Sequence, residues 1–162
     1  MNLAGRTMNQ TQPQHPDKQG AVETPVFSIV IPTFNYGRFL RRAIDSVISQ
    51  GFTNWELVVV DDGSTDGTPG VLATIDDPRV RSIRQPNAGP FAAVQTAFGA
   101  TSAPWLVVFD ADDCLLPGAL ECLKRATVAH SDAAAIVGPW KCVRSDGSGR
   151  AEVFTPPSDN AV

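Results

Sequence analysis

Apolar positions along this chain fall into two alternating rhythms. Phe27-Ser-Ile-Val-Ile31 is a short β-branched run closed by Pro32, which fits a buried strand running into a loop. Beyond it, Phe39, Leu40, Ala43, Ile44, Val47 and Ile48 recur at helical spacing, while Arg41, Arg42, Asp45, Ser46 and Ser49 fill the other face. That pattern predicts an amphipathic helix stopped near Gly51. Leu57-Val-Val-Val60 is apolar on both faces, as in a parallel strand covered by helices on both sides. After the turn-rich loop Asp61-Asp-Gly-Ser-Thr-Asp-Gly67, Thr68 is placed to cap a short helix with Pro69 at its first position. Val80–Ile83 reads as a weaker strand, and Pro90 opens a helix reaching about Gly99. Trp105-Leu-Val-Val-Phe109 is a strong strand, and Pro117 begins a helix running to about His130. Ala133–Val137 reads as a further strand. Asp146-Gly147 fits the turn of a hairpin whose second arm is Arg150–Phe154.

Strands that alternate with helices predict an α/β fold with a mostly parallel sheet flanked by helices. Ligands of such sheets bind at the carboxyl ends of the strands, so the residues just after each strand carry the most information. Residues 1–26 hold few apolar side chains, several Gln and Pro, and no aromatic residue, so they are expected to form a disordered tail. Residues 27–154 form the expected folded domain, and 155–162 a loose end.

Composition narrows the function. Thirteen Lys and Arg against 17 Asp and Glu give a formal charge of -4, without the basic excess on which nucleic-acid affinity depends. No apolar run reaches the roughly 18–20 residues that span a bilayer. Cys114, Cys122 and Cys142 form neither a disulfide framework nor a zinc pattern, and fit reduced thiols. His15 and His130 have no ligand-like neighbours. The expected location is the cytoplasm, with peripheral attachment to a membrane as an alternative.

Three strand ends carry distinctive chemistry: Pro32-Thr-Phe-Asn35, Asp61-Asp62, and Asp110-x-Asp112-Asp113. In a parallel sheet these loops share one edge, so five carboxylates from two loops approach one another. Unpaired, they would raise each other's pKa. A divalent cation such as Mg²⁺ or Mn²⁺ would relieve the conflict, taking one or two of these carboxylates and completing its shell with water and a substrate diphosphate. Asp61 and Asp66 also fit simple turn formation, whereas Asp62 is placed to accept an N–H from a planar base. Rival motifs fail on inspection. The calcium-loop start at Asp62-x-Ser64-x-Asp66-Gly67 meets Ala73 where its twelfth-position Glu belongs. P-loop, dinucleotide and nucleophile-elbow signatures are absent.

In this order, Val30-Ile-Pro-Thr-Phe-Asn35, Ser46-Val-Ile-Ser-Gln50, Glu56-Leu-Val-Val-Val-Asp-Asp-Gly-Ser64, Asn87-Ala-Gly89 and Phe109-Asp-Ala-Asp-Asp113 resemble the glycosyltransferases of family 2. The resemblance covers about residues 27–145. It implies a GT-A (Rossmann-like) fold and a nucleotide-diphosphate sugar donor, often a uridine diphosphate sugar. By position it places Pro32, Thr33, Phe34 and Asn35 along the nucleoside and phosphates, and Asp62 on the base. Asn87 and Gly89 lie beside the donor. Asp110, Ala111 and Asp112 match the D-x-D motif, with Asp112 on the metal and Asp110 near the ribose or metal water. The family's Arg-Asn pair in the next helix is Val94-Gln95 here.

The resemblance also implies inversion at the anomeric carbon, with a carboxylate deprotonating an acceptor hydroxyl. In the family that carboxylate lies in an acceptor-binding half beyond the D-x-D motif. The acids left here are Glu121, Asp132, Asp146, Glu152 and Asp159, each of which also fits a helix surface, a turn or the tail. The processive Gln-x-x-Arg-Trp motif is missing. The expectation is therefore a donor-binding half, incomplete at its carboxyl end. It would act as a metal-dependent transferase on an unidentified acceptor, either complemented by a second chain or as a truncated piece of a longer enzyme, or else bind nucleotide sugar without turnover; an edge left uncovered by the missing half would favour self-association.

Overall fold

The structure, a computed structural model, describes residues 24–131 and the backbone strands at 140–142 and 152–154. Four strands form one sheet: β1 (Phe27–Thr33), β2 (Trp55–Asp61), β3 (Val80–Arg84) and β4 (Trp105–Val108), in the order β3-β2-β1-β4. All three pairings are parallel. Helices α1 (Gly37–Ile48), α2 (Thr68–Leu72), α3 (Pro90–Phe98) and α4 (Ala119–Ala129) connect or follow these strands. A separate antiparallel pair joins β5 (Trp140–Cys142) to β6 (Glu152–Phe154). β6 lies within the expected second hairpin arm, Arg150–Phe154, and β5 pairs with it. The turn expected at Asp146-Gly147, the strand expected at Ala133–Val137, the tail before residue 24 and the end at 155–162 lie outside the described residues.

The two central strands are buried on both faces, and the pleat divides their side chains. Ile29, Ile31, Leu57 and Val59 meet Leu40, Ala43, Ile44 and Val47 of α1, with Leu120 of α4 in the same core. Val30, Val58 and Val60 meet Ala93 and Ala97 of α3 on the opposite face. Each fully buried aliphatic side chain contributes roughly 1.5–3 kcal/mol. The small alanines of α3 let that helix lie close to the sheet. Among the described residues β4 is an edge strand, and Leu106 and Val108 are exposed on it, unlike the doubly covered β1 and β2.

Several boundaries differ from the expected ones. β1 continues through Pro32 to Thr33, because its edges still pair with Val60 and Asp61 of β2 and no ladder donor is needed from the proline. Thr68 is the first residue of α2 rather than its cap. Gly67 precedes it, and the Thr68 hydroxyl is buried without a partner among the described residues. α1 ends at Ile48, with Ser49 closing it, before Gly51 is reached. α4 starts at Ala119 and not at Pro117, because Gly118 takes a left-handed conformation (φ 78°) that interrupts the helix.

At the amino ends of the strands a carboxylate replaces apolar packing. Glu56 Oε1 accepts from Ser28 Oγ at 2.8 Å and from Ser102 N at 2.7 Å and Oγ at 2.9 Å. Glu56 Oε2 accepts from Arg81 at 2.9 Å. Ser28 Oγ in turn accepts from Ala103 N. The cluster ties the α3–β4 connection to β1 and β2. Burial pushes the Glu56 carboxyl up, but the hydrogen bonds from Ser28, Ser102 and Arg81 outweigh it and hold it low. A depressed acid stabilises the fold above its ordinary range and loses that contribution as pH falls through its lowered value. Glu56→Ala is therefore expected to cost about 1–2 kcal/mol in urea unfolding at pH 7, mainly through the buried Ser28 hydroxyl, which loses its acceptor. The gap from wild type should hold above about pH 5 and narrow below the ordinary glutamate value of about 4.3.

Candidate functional site

The carboxyl ends of β1, β2 and β4 open on one cleft of about 570 Å³. It is lined by Pro32, Thr33, Phe34 and Tyr36 after β1, by Asp62 after β2, and by Asp110, Ala111 and Asp112 after β4. Asn87 and Gly89 close it with Pro90 and Ala93 of α3. Side chains 26 to 80 residues apart thus meet because the parallel register sets the strand ends level, with Thr33 opposite Asp61.

The loop after β2 is held by interlocked hydrogen bonds. Asp61 is 1% exposed; its Oδ1 accepts from Ser64 N at 2.8 Å, and its Oδ2 pairs with Arg84. Arg84 also donates to Ser64 O at 2.7 Å. Ser64 Oγ accepts from Asn35 N at 2.9 Å, and Asn35 Oδ1 accepts from Thr65 N at 2.8 Å and Asp66 N at 3.3 Å. Asp66 bonds the amides of Gly37 and Thr68. Asn35 sits at φ 58°, a left-handed conformation that asparagine tolerates better than most residues. Gly63 at φ 78° is required on two counts, because a Cβ there would meet Asn87 N at 2.9 Å.

Two expected contacts therefore change character. Asn35 does not line the cleft; its side chain braces the β2 loop. Asp61 does not join the carboxylate group, because the pleat turns it toward Arg84 while Asp62 faces the cleft. Of the five carboxylates expected to converge, Asp62, Asp110 and Asp112 line the cleft. Asp66 makes the turn contacts that also fitted it.

Asp62 is 3% exposed and held by the loop after β3. It accepts from Gln85 Nε2 at 2.7 Å, Ala88 N at 2.9 Å and Gly89 N at 2.8 Å. Burial raises its pKa, but those three donors together outweigh burial and lower it, so the group stays ionised. Beside it, Thr33 is 4% exposed, and its hydroxyl has no partner among the described residues. A buried hydroxyl in a cleft wall without a hydrogen bond is costly unless a ligand or water supplies one.

The loop after β4 is positioned from α1. Gln50 Nε2 donates to Ser46 O and Leu116 O, its Oε1 accepts from Leu120 N, and Ser46 Oγ accepts from Leu115 N at 3.0 Å. These bonds explain the Ser46…Gln50 motif, which fastens the segment following Asp113. Asp110 and Asp112 are exposed, and among the described residues neither enters an ion pair. Asp113 is pushed up by burial first and then by the charges of Asp110 and Asp112. The loop thus concentrates negative charge that the described residues leave unbalanced. Among them no group of three or more acidic, His or Cys side chains is arranged to hold an ion alone. Asp110 and Asp112 fit a cation such as Mg²⁺ or Mn²⁺, which takes one or two carboxylates and fills its shell with water and phosphate oxygens.

The family profile of glycosyl transferase family 2 matches residues 28–153. The chain belongs to that family. It is 38% identical over 113 residues to the succinoglycan biosynthesis protein ExoO of Rhizobium meliloti (strain 1021), covering 69% of this chain and 31% of that protein. S. aureus TarS 1-349 in complex with UDP-GlcNAc superposes with a TM-score of 0.62 at 24% identity, over 65% of this chain and 32% of that one. The mannosyltransferase PcManGT from Pyrobaculum calidifontis, in complex with GDP-Man and Mn²⁺, gives 0.55 at 26% identity, over 76% and 36%. These neighbours are GT-A glycosyltransferases, and this chain has that fold. It spans about a third of the length of these proteins.

Tyr36, Pro90 and Ala93 were not singled out from the family 2 motifs, although they line the cleft. The signal was present: Tyr36 adjoins the Pro-Thr-Phe-Asn motif, and Pro90 and Ala93 share one face of the helix that Gly89 introduces. Gln85 was missed as well, since its role depends on pairing between β2 and β3. Glu121 lies on α4 with Oε2 buried and unpartnered among the described residues, and it is not a cleft residue. Asp132, Asp146 and Asp159 lie outside the described residues, as does the side chain of Glu152. Among the described residues no helix is long and apolar enough to cross a membrane.

Proposed function

We propose that this domain binds a uridine diphosphate sugar in the cleft and transfers the sugar, with inversion, to an acceptor hydroxyl. The observation that carries the reading is the pairing of an ionised, cleft-facing Asp62 with the unbalanced Asp110 and Asp112 across one cleft. Asp62 accepts the ring N–H of the base, and Thr33 supplies a hydroxyl beside it. Phe34 and Tyr36, both partly exposed at the cleft wall, offer flat surfaces to the nucleoside. The amino end of α3 opens at Pro90 on the same space, where helix-end amides favour a diphosphate. Asp110 and Asp112 hold Mg²⁺ or Mn²⁺, which when bound supplies positive charge to the departing nucleoside diphosphate. The ligands of TarS and PcManGT support a nucleotide-sugar donor, and the latter supports the cation.

Uracil and guanine both present a ring N–H that a carboxylate accepts, whereas cytosine and adenine present a bare ring nitrogen there. Among the described residues the acids that line the cleft are Asp62, Asp110 and Asp112, all engaged with the donor in this reading. The acceptor's base is not among them, and donor binding without turnover is the second reading. Calorimetric titration of UDP and GDP, with and without Mn²⁺, tests the proposal. Metal-dependent UDP binding is expected. Preference for GDP would overturn the uridine assignment, and no binding of either would overturn the nucleotide site. Release of free sugar from a bound UDP-sugar would separate an enzyme from a binding module.

A further inference from the structure

Asp62 has little freedom in the cleft wall. Its Oδ1 takes two hydrogen bonds, from Gln85 Nε2 and Ala88 N, and its Oδ2 takes one, from Gly89 N. A carboxylate oxygen has two lone-pair sites, so Oδ1 is filled and Oδ2 keeps one. Two of the three donors are backbone amides of the loop Asn87–Gly89 and move only with that loop. The third is a side chain delivered from the end of β3, where Gln85 N bonds Asp61 O at 3.0 Å. Gln85 is half-buried and is not one of the cleft-lining residues. It reaches the cleft only through Asp62.

We infer that Gln85 is a positioning residue for the donor nucleotide, a role that rests on the nucleotide-sugar reading above. Its amide fixes the rotation of the Asp62 carboxylate so that one acceptor site, on Oδ2, meets the N–H edge of the base. A terminal carboxylate torsion is otherwise broad and nearly two-fold. A rotated carboxylate would offer the ligand an oxygen already engaged, or none. The choice of a neutral amide also follows from the chemistry. An Arg or Lys at this position would neutralise Asp62 and weaken its hold on an uncharged N–H, whereas the glutamine donates a hydrogen bond and leaves the full charge in place.

The test is titration of UDP with Mn²⁺ into wild type, Gln85→Ala and Gln85→Glu from pH 5 to pH 8. Each affinity is read as a ratio to wild type at the same pH, which removes every pH effect common to the three proteins. Gln85→Ala is expected to bind about tenfold more weakly, the effect of one hydrogen bond to a charged group. Gln85→Glu is expected to bind more weakly still at pH 8, where the introduced carboxylate repels Asp62. Toward pH 5 the introduced group takes up a proton shared with Asp62, regains a donor, and the ratio recovers toward one. A packing role would move the melting temperature of the variants but leave that ratio flat with pH.

Wild-type affinity in Gln85→Ala, or a flat ratio in Gln85→Glu, overturns the positioning role while the nucleotide site stands. Failure of the wild type to bind UDP or GDP overturns the nucleotide site, and this role with it.

Discussion

Asp112→Asn is expected to remove the divalent-cation dependence of UDP binding, with a loss of at least about 100-fold in affinity at saturating Mn²⁺ and no loss of fold. The asymmetry follows from the loop's charge. Asp112 is exposed, enters no ion pair among the described residues, and contributes to the repulsion that pushes Asp113 up after burial. Removing its charge takes nothing from the folded state and relieves one like-charge contact, so the melting temperature should hold or rise slightly. Wild type, by contrast, should gain melting temperature when Mn²⁺ and UDP are added together, because ligands that bind only the native state stabilise it by mass action. That gain should vanish in Asp112→Asn. An undiminished, cation-dependent affinity in the variant would sink the assignment of Asp112 as a ligand. A sharp fall in its melting temperature would show instead that the loop depends on this carboxylate.

The alternation of strands and helices was legible because burial imposes period. The doubly covered β1 and β2 demand continuous β-branched runs, and α1 demands apolar residues three and four apart; both patterns survive in the letters. Which loops matter was legible for a topological reason, since parallel strands deliver all their carboxyl ends to one edge. What each carboxylate does was not. Asp61 and Asp62 are adjacent and identical in type, yet the pleat sends one to Arg84 and the other to the cleft. That assignment needs the register Asp61↔Arg84 between β2 and β3, a contact across 23 residues. Asn35 is a similar case. Its place in a ligand-like motif suggested a ligand contact, but its amide oxygen is taken by backbone donors about 30 residues away. Glu56 gave no sign in sequence of its cluster, which forms only once Ser28 pairs beside it in β1 and Ser102 arrives before β4. Long-range polar partners decide these residues, and they leave no local period.

The same neighbouring pair yields the largest expected loss of stability. Asp61→Ala is expected to destabilise the domain by about 2–3 kcal/mol in urea unfolding. Asp61 is almost fully buried, so its removal leaves Ser64 N–H without an acceptor inside the protein, and an orphaned buried donor costs about 1–3 kcal/mol. The ion pair adds less, because the Arg84 side chain is half exposed and can turn to water. The damage should then spread along the bonds that start at Ser64. Its hydroxyl accepts from Asn35 N, and Asn35 holds Thr65 and Asp66, so the loops after β1 and β2 lose their common brace. Phe34 and Asp62 ride on those loops, and UDP affinity should fall although Asp61 does not line the cleft. Asp61→Asn separates the two effects. It keeps an oxygen for Ser64 N while setting an amide against Arg84, so stability should fall by less than half as much and the loops should stay joined. Equal stability of Asp61→Ala and wild type would show that the loops are held without this carboxylate. Asp61 would then be a turn residue whose pairing with Arg84 is incidental.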